Sequence, residues 1–482
     1  MNGDRSYSIL FGAVAALMSM LILPGCAVLP GQGDAEKPNI IFILADDMRL
    51  DDFEHMPQTR QLLAEQGLEF QNAFVTHSLC CPSRASILRG QYTHNHQVLT
   101  NNKPQGGFEK FQSEGHEDST IATWLKSGGY QTVLIGKYLN GYPRRNDETY
   151  VPPGWDEWYG RPRAEAGYYD YQLNENGTLV YYGSNEQDYY TDVLAGKAKD
   201  YVRRAVGDSR PFFMYLAPGT PHGPFIPALR HQNEYPAARA PRPPSFNEPD
   251  VADKPAWIGG LPRLTSADEQ TTEEVYRNRL RMLLSLDEMV AGLIEELEAA
   301  NRLDNTYVFF TSDNGYHLGE HRLALGKRTA FEEAIRVPLL VRGPGISAGT
   351  TVEEMALNID LAPSFAELGD ASAPEFVDGR SLVPLFSGQA PPASWRSAFL
   401  VEHWSGGGGN PSQTPTYAAI RTETHKYVEF GTGEKELYDL SADPYELESF
   451  PQTADSALLD SLVSRLEVLK GCAKQECRQA EE

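Results

Sequence analysis

Asn39-Ile40-Ile41-Phe42-Ile43-Leu44 runs straight into Ala45-Asp46-Asp47, an apolar stretch closed by two carboxylates. A strand with one wet face alternates polar and apolar residues. The unbroken apolar run after Asn39 instead predicts a strand covered on both faces, as in a parallel sheet between helices. The texture recurs along the chain: Gln131 to Ile135 stops at Gly136-Lys137, Pro211 to Leu216 at Ala217-Pro218-Gly219, and Thr306 to Phe310 shortly before Asp313-Asn314-Gly315. Val337 to Val341 reads as one more buried strand. Helical segments fall between them: Pro57 to Gln66, Ser119 to Lys126 opened by a Ser cap, and Thr271 to Ala300 with Leu286, Met289, Leu293 and Leu297 at helical spacing. This alternation predicts an α/β fold with a large, mostly parallel sheet flanked by helices. Its polar residues gather just past the carboxyl ends of the strands, where open sheets of this class bind ligands.

Outward from this core the pattern changes twice. After about Gly388 come Pro391 and Pro392, the glycine loop 406–409, strand-like runs at Ala398 to His403, Tyr417 to Arg421 and Lys426 to Phe430, and a helix over Ala454 to Leu469. They predict a smaller C-terminal α+β domain with an antiparallel sheet over 389–482, behind a main domain over 37–388. At the other end, Arg5 precedes the apolar run Ile9 to Leu23, which ends in Leu23-Pro24-Gly25-Cys26. That resembles a bacterial lipobox: residues 1–25 as a cleaved signal peptide, Cys26 carrying the lipid, and 26–36 as a tether that holds an exported protein to the cell envelope, on its periplasmic or outer face. A plain membrane span is the alternative. Cys472 and Cys477 could then close a small disulfide loop.

Composition bounds the function. The 482 residues, 41% hydrophobic and 10% aromatic, can bury large cores, which excludes a disordered or collagen-like chain and a disulfide mini-scaffold. With 42 Lys and Arg against 66 Asp and Glu, the net charge of -24 argues against bulk nucleic-acid binding, which needs the cations this surface lacks. An anionic substrate would need a locally positive site.

The segment Leu79-Cys80-Cys81-Pro82-Ser83-Arg84-Ala85-Ser86-Ile87-Leu88-Arg89-Gly90 offers one. Pro82 suits the first turn of a helix through Leu88, which sets Cys80 at the free backbone N–H groups of its N-terminus. The pattern C-x-P-S-R followed by x-S-I-L-x-G resembles the motif of the type I sulfatases, an alkaline-phosphatase-like family in which a separate maturation enzyme oxidises the first Cys to formylglycine. A thiolate zinc site from Cys80, Cys81 and His77, or a buried inert pair, is the bland alternative. Asp46, Asp47, Asp313 and Asn314 offer hard oxygen donors that suit Ca²⁺ or Mg²⁺ rather than zinc. The resemblance implies Ca²⁺, with the modified Cys80 as a further ligand.

Arg84, Lys137 in Gly136-Lys137-Tyr138, His222 in Pro221-His222-Gly223-Pro224 and Lys327 in Gly326-Lys327-Arg328 resemble the family's sulfate-site positions. The implied mechanism starts from the hydrated aldehyde at Cys80. One hydroxyl attacks sulfur, His222 or Lys327 protonates the leaving alcohol, and the second hydroxyl then expels sulfate. One departure is plain: many sulfatases place a His two residues after the Lys, where this chain has Leu139. The form Gly136-Lys137-Tyr138-Leu139-Asn140 is similar to N-acetylglucosamine-6-sulfatases and extracellular heparan endosulfatases, as are His94-Asn95-His96 and Asp313-Asn314-Gly315-Tyr316-His317. His317, His94, His96 and Asn102 are the candidate substrate-binding residues. The implied activity is release of sulfate from a sulfated sugar or polysaccharide. A phosphonate monoester or phosphodiester hydrolase on the same fold is an alternative, as is a surface glycan-binding protein whose Cys80 stays unmodified. Loops such as Tyr138 to Arg163 and His403 to Thr416 would set the specificity.

Overall fold

Along Asn39–Ala45 successive side chains point to opposite faces of the sheet, and both faces are covered. Ile41, Ile43 and Ala45 enter one apolar core with residues of the helices Tyr190–Ala205 and Ser266–Ala299. Ile40, Phe42 and Leu44 enter a second core with the helices Cys80–Arg89, Ile121–Ser127 and Leu361–Leu368. The computed structural model that shows this describes Met1 and residues 36–144, 147–162, 167–387, 395–405 and 414–482. The signal peptide, Cys26, nearly all of the tether and the expected boundary at 388/389 lie outside the described residues. Within them no helix is long and apolar enough to cross a membrane.

The main sheet has ten strands in the order Thr350–Val352, Leu68–Phe70, Leu339–Arg342, Thr306–Ser312, Asn39–Ala45, Phe212–Ala217, Gln131–Gly136, Glu157–Gly160, Tyr171–Glu175 and Thr178–Tyr182. Its centre, from Thr306–Ser312 to Glu157–Gly160, is parallel. The expected strand at Val337 to Val341 forms as Leu339–Arg342 and runs antiparallel to its neighbours. The loop expected over Tyr138 to Arg163 contains the strand Glu157–Gly160, and its aromatic residues Tyr138, Tyr142 and Trp158 are buried in the second core. Leu139 is also in that core, 1% exposed, so the position where many sulfatases carry a His is used here for packing.

Register places the candidate site residues. Ala45 pairs with Ser312, Ile43 with Leu216 and Gly136 with Ala217, so four central strands end level with one another. Asp46, Asp313 and Lys137 each follow directly on such an end. This is the crevice where ligands bind in open α/β sheets.

Two helix starts differ from expectation through their caps. Thr120, not Ser119, caps Ile121–Ser127 in a reciprocal box with Thr123. The long helix begins at Ser266 because Thr265 and Asp268 form a capping box.

The C-terminal part builds a four-stranded antiparallel sheet from Ala398–His403, Tyr417–Thr422, His425–Phe430 and Lys435–Asp439, with the helix Ser456–Gly471 packed on it. Cys472 and Cys477 are joined in a disulfide. This sheet shares a third core with Phe74, Val75, Tyr92 and Phe331 from the earlier part of the chain. The buried Arg396 adds an ionic tie, bonding both Asp360 and Glu481.

Candidate functional site

The helix Cys80–Arg89 is buried along its whole length, and Leu79 is its N-cap. Asn101 holds that end, its Oδ1 accepting from the Cys81 N–H at 2.8 Å. Cys80 is thereby set over the carboxyl ends of the central strands. Its Sγ lies 3.6 Å from Asp46 Oδ1, 3.8 Å from Asp47 Oδ1 and 2.9 Å from Lys327 Nζ. Cys81 points the other way, into the second core, where burial pushes its thiol up to about 12. His77 is engaged with Thr93 and His403. Cys80, Cys81 and His77 therefore do not converge as a zinc site would require.

Ion pairs surround Cys80. Arg84 Nε donates to Asp313 Oδ2 at 2.7 Å and Nη1 to the Lys137 carbonyl at 3.1 Å, while Nη2 lies 3.7 Å from Asp46 Oδ2. Lys137 Nζ is 2.5 Å from Asp46 Oδ2, and Lys327 Nζ bonds Asp47 Oδ1. His222 Nε2 lies 3.6 Å from Asp47 Oδ2, and its Nδ1 donates to the Gly223 carbonyl at 2.6 Å. Burial alone would raise the Asp46 pKa, but Lys137, His222, Arg84 and Lys327 together hold it well below the usual carboxylate range. His222 shows the converse: burial disfavours its cation, yet Asp46 and Asp47 raise it to about 9.

Asn314 Nδ2 donates to Asp47 Oδ1 at 2.7 Å, whereas its buried Oδ1 has no hydrogen-bond partner among the described residues. An orphaned amide oxygen beside three carboxylates is a hard-oxygen donor set. Asp46, Asp47, Cys80 and His222 also form a group whose candidate ligand atoms lie within 4.8 Å of one another.

Above these groups opens a cleft of about 570 Å³. Asp47, His222 and Lys327 line its floor, and Asn102, His403 and Trp404 are among its walls. Sequence reasoning brought together Asp46, Asp47, Cys80, Arg84, Lys137, His222, Asp313, Asn314 and Lys327, and it placed Asn102 at the cleft. It missed Asn101 and Tyr168, whose hydroxyl bonds the carbonyls of Gly219 and His222 and so braces the His222 turn. No motif marks Tyr168. Trp404, by contrast, is signalled by a bulky aromatic just past the strand Ala398–His403.

The three other histidines do not line this cleft. His317 is fully buried, with Nε2 2.7 Å from Thr329 Oγ1, and burial lowers it to about 3. His96 is also buried, 3.0 Å from Ser86 Oγ. His94 pairs with Glu402 at 2.9 Å and bonds the Cys472 carbonyl, docking the C-terminal disulfide loop.

Although burial opposes its charge, the His94–Glu402 contact raises His94 to about 9 from 6.5. A raised folded-state pKa contributes stability that is complete below about pH 6.5 and is lost as the pH rises through 9, at most about 3 kcal/mol. Unfolding curves of wild type and Glu402→Gln should therefore differ most at pH 6 and converge by pH 10. A constant gap across that range would show that the pair does not titrate as described.

Residues 38–371 match the family model described as Sulfatase, and residues 319–471 a model described as N-sulphoglucosamine sulphohydrolase, C-terminal. The chain belongs to the sulfatase family. This sulfatase is 36% identical to the N-acetylglucosamine-6-sulfatase of Homo sapiens over 497 residues, 95% of this chain and 89% of the relative. Among solved structures, its fold is similar to that of a protein in complex with its substrate D-glucosamine-2-N,6-O-disulfate (TM-score 0.78, 24% identity, 92% of this chain and 98% of the other). It is also similar to a phosphonate monoester hydrolase from Silicibacter pomeroyi (TM-score 0.72, 24% identity, 89% and 94%). The sulfatase thus has an alkaline-phosphatase-like fold, and its family hydrolyses sulfate esters.

Proposed function

We propose that this sulfatase removes sulfate from a sulfated amino sugar of the N-acetylglucosamine 6-sulfate type, free or within a polysaccharide, with Cys80 matured to formylglycine. The observation that carries the reading is the convergence on Cys80 of Asp46, Asp47, Lys327 and His222 directly beneath a sugar-sized cleft whose floor Asp47, Lys327 and His222 line. Asp46, Asp47, Asp313 and Asn314, with residue 80, fit Ca²⁺. When bound it would draw charge from the sulfate oxygens and favour an ionised nucleophile.

The chain's own cations have separable tasks. Arg84 holds Asp313 in place, and Lys137 does the same for Asp46. Lys327 sits between residue 80 and the open cleft, where it would bind a sulfate oxygen. His222 is part-exposed on the cleft floor, with Nδ1–H fixed by the Gly223 carbonyl, so Nε2 is the atom that would deliver a proton to the leaving alcohol. Export as a lipoprotein through Cys26 agrees with the disulfide at Cys472 and Cys477, a bond typical of oxidising compartments.

Turnover by the matured protein tests both substrate and acid. N-acetylglucosamine 6-sulfate should be cleaved far better than its phosphate or phosphonate counterparts. The reverse order would make it a phosphonate or phosphate ester hydrolase. His222→Ala should lose roughly 10² to 10⁴ in turnover on the sugar sulfate and much less on an aryl sulfate, whose leaving group needs no proton. Equal losses on both would reduce His222 to a binding residue.

A further inference from the structure

We propose that Arg328 forms a second anion-binding subsite in the cleft, taking an additional sulfate or carboxylate on the sugar being cleaved or on its neighbour. The inference rests on the sulfated-sugar reading and narrows it to substrates that carry more than one negative group.

The chain's net charge is -24, yet among the described residues the cleft is lined by one carboxylate, Asp47, and by Lys103, Lys327 and Arg328. Lys327 pairs with Asp47 and, on the reading above, serves the sulfate being cleaved, and Lys103 pairs with Glu109 at 3.1 Å. Arg328 is exposed and forms no ion pair or side-chain hydrogen bond among the described residues. Other arginines of this surface, such as Arg204 and Arg230, are held by Glu157 and Asp192, and what sets Arg328 apart is that it stands unpaired in the wall of the cleft. The Arg328 charge is also felt nearby: burial lowers His403 of the cleft wall and His77 behind it, and Arg328 lowers both further.

Its backbone is anchored. The Arg328 N–H donates to the Ser78 carbonyl at 3.0 Å, and Ser78 Oγ donates to the Thr329 carbonyl at 2.7 Å. Gly326 has φ 138° and Arg328 φ 83°, so the turn around Lys327 holds a non-glycine residue in the left-handed region, a local cost on the order of 1 kcal/mol or more. The same turn that presents Lys327 to residue 80 therefore fixes Arg328 beside it. A guanidinium fork matches the oxygens of a sulfate or carboxylate in bidentate fashion. The cleft, at about 570 Å³, has room for a sugar that bridges the two cations.

The test compares kcat/KM of the matured enzyme for N-acetylglucosamine 6-sulfate, for N-sulfated glucosamine 6-sulfate, and for a disaccharide joining the 6-sulfated sugar to a uronate. Wild type should favour at least one doubly anionic substrate, and which of the two it favours distinguishes sulfate from carboxylate. Arg328→Asn, which tolerates the left-handed backbone, should cut that preference about tenfold, and Arg328→Lys should retain part of it. Calorimetric binding of the same sugars to Cys80→Ala protein reads the subsite without turnover. A catalytically silent enzyme would therefore sink the sulfatase reading while the binding ratio still decides on Arg328. Equal effects of Arg328→Asn on singly and doubly anionic sugars, or no preference in wild type, would overturn the subsite.

Discussion

Cys80→Ala protein is expected to lose about 10⁶ in turnover, the scale on which removing a nucleophile acts, while remaining folded. Cys80 is wholly buried at the start of a helix, where Ala is a good helix former, and the substitution removes only one sulfur atom. Cys80→Ser should be nearly as inactive, because a single hydroxyl forms an ester that needs a fresh water to break it, whereas an aldehyde hydrate keeps a second hydroxyl to expel sulfate. A peptide mass should show the aldehyde or its hydrate at residue 80 and an intact thiol at Cys81. The two neighbours are not equivalent: Cys80 Sγ faces Asp46, Asp47 and Lys327, and Cys81 is packed in the core with its thiol held neutral. Conversion at Cys81 with Cys80 intact would refute the assignment.

Asp313→Ala should lower stability by about 3–5 kcal/mol as well as abolish turnover, because it leaves the Arg84 guanidinium buried without its closest counter-charge. Arg84 is fully buried, and its next carboxylate, Asp46, is 3.7 Å away and already bonded to Lys137. Asp313→Asn keeps the shape and one acceptor, so it should fold with a smaller penalty of about 1–3 kcal/mol yet remain inactive. Chelation should mimic the loss of activity in wild type, with calcium restoring it, and calcium should not rescue Asp313→Asn. Stoichiometric zinc without calcium in the purified enzyme would rule out the oxygen-donor reading, and an Asp313→Ala protein as stable as wild type would contradict the buried ion pair.

The site was legible where chemistry is local. Cys80 and Arg84 lie one helical turn apart, and Asp46, Lys137 and Asp313 follow strand ends marked by a break in hydrophobicity, so each announces itself within a few residues. His94, His96 and His317 are equally polar and sit in equally suggestive motifs, but their surroundings come from Glu402, Ser86 and Thr329. A motif carries no record of whether its imidazole faces a cleft or a core.

By itself the sequence determined the α/β class, the strand ends, the helix Cys80–Arg89 and the oxygen-donor residue types beside it, because backbone burial, helix capping and donor chemistry depend on residue kinds at short spacing. The tertiary structure decided which cation meets which carboxylate, which histidines are excluded from the cleft, that Leu139 is core, and that Arg328 stands unpaired among the described residues beside Lys327. Those outcomes depend on the register of four strands and on contacts between residues up to a few hundred positions apart, where one residue of slip would turn every side chain to the other face.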